Sequence, residues 1–462
     1  MDFNSINFLF YFLPCLFIIF YILKKNYKLT IIILLLASLI FYYFSNYLPL
    51  LIFSITVNFL AAYFIQKINI YILRKILLTS GILFNITILF YYKYLNFILS
   101  NLSYIFNFNF IETSNYLLPL GISFFSLQQI AFLIDTYFDK KEKINFINYS
   151  LFVSFFPQLI AGPIVRYNYF IKQLNQIRID KLNLISGLQL ISIGLFKKII
   201  IADSLAMYIN NNFSNIELLS SNETFFTTVA FTMQIYFDFS GYTDIALGLA
   251  LLFSIKLPIN FMYPYLSMGM IDFWKRWHIS LSNFINDYIF TSINRSFKNI
   301  THFKIMLSIF ITMLIAGLWH GASWLFVIFG GLHGIGIVTN HYFRKFKLRI
   351  NKLLSWFVTF NFINLTFIFF RAEDFNQIKL IFSNMFKIDL IYFEFIALMP
   401  ILIFSFIFIF YEKVFLEKNK IIFLTIDLKP IIYFIILIIS VLHLLFLEFN
   451  YNIEKQFIYF NF

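Results

Sequence analysis

The chain has 462 residues, of which 61% are hydrophobic and only 12% are charged. Soluble domains contain about 25% charged residues, so this composition excludes an ordinary soluble globular protein. The formal net charge is +13, but the Lys and Arg residues lie in short clusters between apolar runs. Such clusters are typical of cytoplasmic membrane loops and argue against a surface that binds nucleic acid. The single cysteine, Cys15, excludes an intrachain disulfide and a cysteine-rich metal site.

Apolar segments long enough to cross a bilayer recur along the whole chain, which predicts an all-α polytopic membrane protein. The first of them ends at Leu23 and is followed, not preceded, by lysines. We therefore expect an uncleaved span whose N-terminus lies outside the cytoplasm. The alternation of basic clusters predicts about twelve crossings in all, with both termini external. Outside the region of the central histidines, spans are predicted near residues 29–45, 48–65, 76–99, 117–134, 183–209, 224–254, 353–370, 389–411 and 430–448.

Three segments among these spans are less regular. Residues 151–167 are apolar but contain Pro157 and Pro163, and broken backbone cannot face lipid. They predict a re-entrant segment buried in protein, with a kinked ordinary span as the alternative. Asn residues at 210–212 predict an external polar loop, and the charged residues at 412–429 predict a cytoplasmic linker.

Asp238 and Asp244 lie within an apolar stretch, residues 234–254. A carboxylate at membrane depth must be paired or must face a water-filled cavity. The two acids therefore either shape a polar tunnel or cap and hold packed helices, and the sequence leaves both interpretations open.

Residues 273–289 predict one amphipathic helix near the cytoplasmic surface, with Asp272 in position to cap its N-terminus. His278 falls on the apolar face, which an interfacial helix would not require, so we expect it to point into the protein. The other members of the apolar face are Trp274, Trp277, Leu281, Phe284, Ile285 and Tyr288. The opposite face carries Lys275, Arg276, Asn283, Asn286 and Asp287.

His320 follows Trp319 inside an apolar run, residues 311–341, whose nearest basic neighbours are Lys304 and Arg344. An ionisable side chain at membrane depth is costly and is therefore a candidate functional group. Histidine is also the side chain best suited to moving protons near neutral pH. Several glycines and other small residues around it allow helices to pack closely or leave room for a ligand. The alternative is a histidine that is simply hydrogen-bonded between helices.

Several catalytic motifs are absent from the chain. None of the six histidines begins a His-x4-Asp pattern, and His-Glu-x-x-His, Gly-x-Ser-x-Gly and the phosphate-binding P-loop do not occur. His320 and His333 could face one cavity, but the sequence offers no clear third ligand for zinc. We therefore expect neither a bound metal nor a bound cofactor.

Four stretches carry a family resemblance. They read, in chain order, PQLIAGPIVRY, DFSGYTDIALGLALLFSIKLPINFMYPYLS, DFWKRWHISLS and GLWHGASWLFVIFGGLHG. Together they resemble the membrane-bound O-acyltransferase family, and most of all its bacterial cell-surface branch. That branch includes alginate and peptidoglycan O-acetylation proteins and teichoic-acid D-alanyl transfer proteins. One departure is the stretch 290–295, where relatives commonly have a Pro-Leu-Gly-Gly-type turn.

The resemblance implies a ring of about 11–12 transmembrane helices, with re-entrant and amphipathic segments, around a central tunnel. It implies one membrane-embedded domain over residues 1–462, with the family core at 117–343. His320 then matches the essential histidine of the family and His278 its second histidine. The implied reaction moves an acyl group from a cytoplasmic thioester, with acetyl-CoA as the expected donor, to a hydroxyl at the other face. A neutral histidine in an apolar tunnel could act as its general base.

Further side chains are expected to contact the donor or the tunnel. Lys275 and Arg276 are placed to meet an anionic donor, although snorkelling to lipid headgroups would explain both equally well. The remaining expected members of the site are Trp274, Trp277, Trp319, Asp238, Asp244 and His333.

Several functions are compatible with these residues. The preferred one is acetyl transfer across a bacterial inner membrane, with both termini periplasmic, for O-acetylation of a cell-wall glycan. The abundance of Phe, Ile, Asn and Lys indicates a low-GC genome, which favours peptidoglycan over alginate or another exopolysaccharide as the acceptor. D-alanyl transfer, a proton-coupled transporter or flippase of a lipid-linked sugar, and a non-enzymatic scaffold are the alternatives.

The predicted extracytoplasmic tail, residues 449–462, contains Tyr459 near its end. Acetylating relatives tend to end in a similar aromatic tail, so Tyr459 is a candidate shuttle that accepts the acyl group in a first covalent step. A periplasmic esterase-like partner with a Ser-His-Asp triad would then pass the group to the glycan. The alternative is an aromatic anchor at the membrane interface. Membrane lipid and the acyl donor are the other expected partners, and we expect no nucleic acid.

Overall fold

A computed structural model describes most of the chain, and all of its regular structure in the described ranges is helical. Those ranges are residues 3–23, 25–108, 118–139, 143–174, 177, 180–348, 350–387, 398–418 and 430–451. Within them, six segments are long and apolar enough to cross a membrane: Leu48–Lys67, Tyr71–Phe106, Lys181–Ser214, His302–His320, Trp324–Lys345 and Lys352–Arg371. Shorter apolar helices occupy Asn7–Leu23, Tyr27–Tyr43 and Ile431–Phe446. The chain is therefore an all-α polytopic membrane protein, as predicted, while the number of crossings and the ring around a tunnel stay predictions.

The chain divides into two compact units. The first comprises Met1–Ile191 and Ile245–Pro258, and the second comprises Ser192–Asp244 and Ile259–Phe462. The single domain over 1–462 and its core at 117–343 stay predictions. Of the predicted tail, residues 452–462 lie outside the described part of the chain, and Tyr459 is among them.

In the described residues, the first unit contains nine whole helices, most of a tenth, and the end of the helix Ser221–Leu252. The first ten are α1 (Leu13–Leu23), α2 (Tyr27–Tyr43), α3 (Leu48–Lys67), α4 (Tyr71–Leu89), α5 (Leu95–Phe106), α6 (Ile122–Phe138), α7 (Phe146–Ser154), α8 (Phe156–Leu159), α9 (Tyr167–Leu174) and α10 (Lys181–Leu195). Amide side chains join three of these helices: Asn58 on α3 and Asn85 on α4 exchange two hydrogen bonds, and Gln129 on α6 donates to Ser54. Such bonds hold membrane helices together where apolar packing alone gives little specificity.

The predicted re-entrant segment is broken and buried. The α7 helix ends at Ser154, the single turn α8 follows, and irregular backbone runs from there to α9, with residues 151–163 all buried. At the break, the backbone N–H of Phe156 donates to the hydroxyl of Ser38, 3.2 Å away. A Cβ on Gly162 would lie 2.3 Å from Cα of Gln158, so only glycine fits this turn. The expected burial of broken backbone is confirmed; that both ends lie on one side of the membrane stays a prediction.

The second unit contains the remaining helices of the described residues, one of which, Ser221–Leu252, ends in the first unit. They are α11 (Asp203–Ser214), α12 (Ser221–Leu252), α13 (Met270–Trp274), α14 (Ile279–Phe284), α15 (Thr291–Ser296), α16 (His302–His320), α17 (Trp324–Lys345), α18 (Lys352–Arg371), α19 (Phe375–Met385), α20 (Met399–Lys418) and α21 (Pro430–Tyr451). Two sequence-based assignments are wrong here. Residues 210–212, predicted as a loop, form part of α11, and residues 412–418 of the predicted linker continue α20.

The predicted continuous amphipathic helix over 273–289 is also wrong. The α13 helix ends at Trp274, a turn follows, and α14 begins only at Ile279, because His278 has a left-handed backbone with φ 44° and ψ 53°. Gly269, and not Asp272, is the N-cap of α13; the Asp272 carboxylate instead accepts a hydrogen bond from the backbone N–H of Met268. The division into two faces nevertheless holds, with the two tryptophans and His278 buried and Lys275 exposed.

Candidate active site

The predicted site residues that the structure describes all belong to the second unit. His320 is the last residue of α16, and α17 begins four residues later, where the Ser323 hydroxyl accepts the backbone N–H of Leu325 at 3.2 Å. The two helices form a tight hairpin. A Cβ on Gly317 would lie 2.2 Å from the carbonyl oxygen of Phe326, so the backbones touch, as the small residues predict. His320 therefore lies at a helix end beside a turn, and its side chain is buried.

Aromatic rings surround the imidazole of His320. The ring centroids of Trp319, Phe370 and Phe329 lie 5.0, 5.3 and 5.9 Å from that of His320. Phe329 comes from α17 and Phe370 from α18, so three helices close on the histidine. Side chains from three helices thus pack against the ring and fix its position.

His278 is held by a specific polar contact. Its Nδ1 lies 3.3 Å from Oδ1 of Asn260, and the same oxygen accepts hydrogen bonds from the backbone N–H and the hydroxyl of Ser280 at 3.1 and 2.9 Å. A backbone N–H can only donate, so the atom facing it must be the amide oxygen and not the amide nitrogen. His278 Nδ1 therefore carries a hydrogen, and in the neutral ring the lone pair lies on Nε2. Burial lowers the pKa of His278 to about 3, so the ring is neutral at physiological pH.

Trp319 brings the two histidines into one cluster. Its ring centroid lies 6.1 Å from that of His278 and 5.0 Å from that of His320. The ring centroids of Phe239, on α12, and Phe261 also lie near that of His278, at 4.8 and 6.4 Å. The sequence places His278 and Trp319 41 positions apart in two different motifs, and the fold makes them neighbours.

His333 is fully buried as well, but both of its ring nitrogens have partners. Nδ1 accepts a hydrogen bond from the indole N–H of Trp274 at 3.2 Å, so Nε2 carries the hydrogen and donates to the Thr366 hydroxyl at 2.9 Å. That hydroxyl gives its own hydrogen to the carbonyl of Ile363. The structure thus places His333 and Trp274 in a saturated polar contact that ties α13, α17 and α18 together.

The other residues of the segment 263–277 differ in how accessible they are. Arg276 is engaged: its Nε–H donates to the Asp272 carboxylate at 2.9 Å, and its guanidinium lies 4.6 Å above the Tyr263 ring. Trp277 is buried and stacks on Phe273 with ring centroids 5.6 Å apart. Lys275 is the exposed cation of this segment.

Asp238 and Asp244 are ion-paired with two adjacent lysines. Lys198 lies 2.5 Å from Asp238 and 2.7 Å from Asp203, and Lys197 lies 2.7 Å from Asp244 and contacts Glu412 as well. Both lysines are 4% exposed and lie in a π-helical turn, Phe196–Ala202, between α10 and α11. This arrangement supports the packing interpretation of the two acids, because the carboxylates hold separate helices through buried charge.

The two lysines and Glu412 were missed by the sequence interpretation. Lys197 and Lys198 lie inside the predicted span 183–209, and the next predicted span contains the two aspartates. Opposite charges in consecutive apolar spans are a usable signal, because charged groups at membrane depth pair with one another. Within the described residues, no three His, Cys, Asp or Glu side chains form a group that could hold a metal ion.

Comparison with known proteins gives one consistent family. The model of the MBOAT, membrane-bound O-acyltransferase family, matches residues 39–372, a range that contains His278, His320 and His333 but not Tyr459. A peptidoglycan O-acetyltransferase of Helicobacter pylori is 39% identical over 409 residues, which cover 80% of this chain and 77% of that protein.

More distant relatives have related activities in their names. The probable alginate O-acetylase AlgI of Azotobacter vinelandii is 34% identical over 317 residues, covering 67% of this chain and 62% of that protein. A teichoic acid D-alanyltransferase of Bacillus subtilis is 28% identical over 275 residues, covering 56% of this chain and 70% of that protein. With the helical fold and the buried histidine cluster, these matches establish that the chain belongs to the membrane-bound O-acyltransferase family and is a membrane-bound acyltransferase.

Proposed function

We propose that the protein transfers acetyl groups from acetyl-CoA in the cytoplasm to the outer side of a bacterial inner membrane, for O-acetylation of peptidoglycan. The observation that carries the proposal is the cluster of two buried histidines, His278 and His320, whose ring centroids lie 6.1 and 5.0 Å from that of Trp319. The relative that is 39% identical over four-fifths of the chain supports peptidoglycan as the acceptor.

The chemistry requires one proton to move. A hydroxyl oxygen attacks the thioester carbonyl, a C–O bond forms, the C–S bond breaks, and the thiolate leaves. A neutral imidazole takes the hydroxyl proton during the attack, and the imidazolium then returns a proton to the thiolate. Help of this kind is typically worth about 10²–10⁴-fold in rate. We assign the role of general base to His320, and His278, whose lone pair is on Nε2, orients the acceptor or relays the proton.

The aromatic surroundings serve the same reaction. Trp319, Phe329 and Phe370 exclude water from the His320 ring, and water would otherwise hydrolyse an activated thioester. Because Arg276 is held by Asp272 while Lys275 is exposed, we propose Lys275 as the cation that meets the phosphates of the donor. We place the Trp274–His333 pair outside the donor contact, because both ring nitrogens of His333 are already bonded within the protein.

The tail completes the proposed route. The Tyr459 hydroxyl accepts the acetyl group in a first transfer, and a periplasmic esterase-like partner with a Ser-His-Asp triad carries it to the glycan in a second. A phenol ester is an effective donor, because a phenol with a pKa of about 10 leaves more readily than an alcohol.

The test measures peptidoglycan O-acetyl content in cells in which each variant is the only copy of the protein. We expect His320→Ala to keep membrane expression and to lower acetylation by at least about 100-fold, since it removes a general base. His341→Ala, a half-exposed histidine near the end of α17, is the matched control and should acetylate normally. Residual activity above about 10% in His320→Ala excludes the catalytic role.

Labelled acetyl-CoA added to purified protein tests the donor. The Tyr459→Phe variant tests the shuttle, both in purified protein and in the same cells. Tyr459→Phe keeps the aromatic ring and removes only the hydroxyl. We expect it to lose glycan acetylation and to lose alkali-labile acetyl label on the protein. A wild-type level of glycan acetylation in Tyr459→Phe disproves the shuttle and leaves an aromatic anchor. Label that reaches a glycan other than peptidoglycan disproves the proposed acceptor.

A further inference from the structure

Asn260 is tied to the segment of His278 by its main chain. It lies in the irregular backbone between α12 and α13, and its carbonyl accepts the backbone N–H of Ile279 at 2.9 Å. Two residues on, the N–H of Met262 donates to the carbonyl of Arg276, also at 2.9 Å. The two bonds pin the chain before α13 against the turn that carries His278, so the position of Asn260 relative to the imidazole does not depend on side-chain contacts alone.

The side chain of Asn260 faces three groups with one oxygen. Oδ1 lies 3.1 Å from the backbone nitrogen of Ser280, 2.9 Å from its hydroxyl oxygen and 3.3 Å from Nδ1 of His278. Rotating the amide by half a turn would place NH₂ against the N–H of Ser280, which is repulsive. The orientation of the amide is therefore fixed. Because its oxygen can only accept, the Nδ1 of His278 that faces it must carry a hydrogen.

The backbone of His278 is also unusual. A positive φ is uncommon for a residue other than glycine, and such conformations persist only where the surroundings over-determine them. Here the over-determining contacts are the bonds from Ile279 and Ser280 to Asn260. The same asparagine thus holds both the strained backbone and the ring of His278.

We infer that Asn260 is a positioning residue that holds His278 in the tautomer with the proton on Nδ1 and the lone pair on Nε2. The inference rests on the proposed acyl transfer, in which a hydroxyl proton must be accepted inside the histidine cluster. When Nε2 takes that proton, Nδ1–H remains bonded to the Asn260 oxygen, and the bond becomes charge-assisted and stronger. Three rings also pack on the imidazole: Phe239 of α12, Phe261 of the chain before α13 and Trp319 of α16, and these three side chains carry no titratable group.

Asn260→Asp and Asn260→Ala separate positioning from packing. Asn260→Asp keeps an oxygen at the same place but adds a negative charge beside Nδ1–H, which raises the pKa of His278 from about 3 towards neutrality. We expect acetyl transfer in Asn260→Asp to stay near wild type at alkaline pH and to fall as the pH drops below neutrality, while the wild type shows no such loss. Asn260→Ala should lower the rate by roughly 10–100-fold at every pH, the range seen when the partner that orients a histidine is removed.

Asn364→Ala is the matched control. Asn364 is an equally buried asparagine of the second unit that bonds Thr228 and Thr232, away from His278. It should change stability but leave the pH profile as in the wild type. An Asn260→Asp profile identical to the wild-type profile overturns the inference, and so does an Asn260→Ala enzyme that matches Asn364→Ala in rate and profile. If Asn260→Ala does not fold, the Asn260→Asp profile decides.

A spectroscopic readout separates this inference from the proposed function. Solid-state NMR of ¹⁵N-histidine-labelled protein in lipid reports which ring nitrogen is protonated, and the His278 signals are assigned by their loss in His278→Asn. The expected His278 signature is a protonated Nδ1 that is lost in Asn260→Ala. If Nδ1 is protonated but the protein transfers no acetyl group, the inferred tautomer is correct and the proposed function is wrong. A protonated Nε2 on the wild-type His278 rejects the inference whatever the activity.

Discussion

His278 and His333 are equally buried, lie in the same unit and sit among aromatic rings, yet their nitrogens are used in opposite ways. His333 accepts at Nδ1 from Trp274 and donates at Nε2 to Thr366, so its lone pair is already occupied. His278 donates at Nδ1 to Asn260, which leaves the lone pair on Nε2. Burial and residue type do not distinguish the two, whereas the direction of each hydrogen bond does.

The difference teaches where chemistry can occur in this unit. A histidine whose lone pair accepts a structural indole N–H cannot take a substrate proton without breaking that bond. A histidine held through its N–H keeps a basic nitrogen and is stabilised further when it becomes protonated. Substitution of His278 should therefore lower the rate of acetyl transfer, whereas substitution of His333 should lower the stability of the protein.

The largest expected effect is the loss of rate in His278→Asn. Asparagine tolerates the left-handed backbone of position 278 and offers an N–H near the place of Nδ1, but it has no atom at the place of Nε2. We expect folding and membrane insertion to be retained and acetyl transfer to fall by about 100-fold, because the nitrogen that orients the acceptor or relays its proton to His320 is lost. The measurement is peptidoglycan O-acetyl content normalised to the amount of protein in the membrane. A normal rate would place His278 with His333 as a structural residue.

A smaller effect, and one on stability, is expected for His333→Phe. Phenylalanine fills the volume but leaves the indole N–H of Trp274 without its acceptor in a buried position. An unsatisfied buried donor costs about 1–3 kcal/mol of unfolding free energy, so the thermal unfolding midpoint in detergent should fall. The rate per folded molecule should stay within about threefold of the wild-type rate, because this ring is not the base. A stable but inactive His333→Phe protein would contradict the distinction between the two histidines.

Much of this arrangement could be predicted from the sequence. Apolar runs located most spans, because a helix that crosses hydrocarbon needs about 20 apolar residues. The spacing of Trp274, Trp277 and His278 predicted which side chains are buried, and the structure confirms that burial. The broken character of 151–167 followed from Pro157 and Pro163. These features are local, and local patterns are what a single sequence reports.

The rest depends on long-range contacts. The turn at His278 has no sequence signal, since a positive φ on a histidine is imposed by bonds to Asn260, 18 residues earlier. The role of His333 depends on Thr366, 33 residues later on a different helix. The partners of Asp238 and Asp244 were unidentified because Lys197 and Lys198 were counted within a span, and Glu412 within a linker. Which helices pack together decides all of these contacts, and spacing along one helix does not encode it.

The smallest predicted effect sharpens the comparison through a double-mutant cycle. Thr366→Val is nearly isosteric and removes the acceptor of His333 Nε2–H together with the bond from Thr366 to Ile363. In the wild type it should lower the unfolding free energy by about 1 kcal/mol, and in His333→Phe by less, because the bond between them is already lost. The control is Thr359→Val. The Thr359 hydroxyl also lies on α18 and donates to a backbone carbonyl, that of Ser355, but this bond involves no histidine. Chemical unfolding in detergent should show a coupling energy between positions 333 and 366 and none between 333 and 359. Equal and additive effects at the two threonines would mean that His333 is held by packing alone. The hydrogen bonds of His333 would then not explain how it differs from His278.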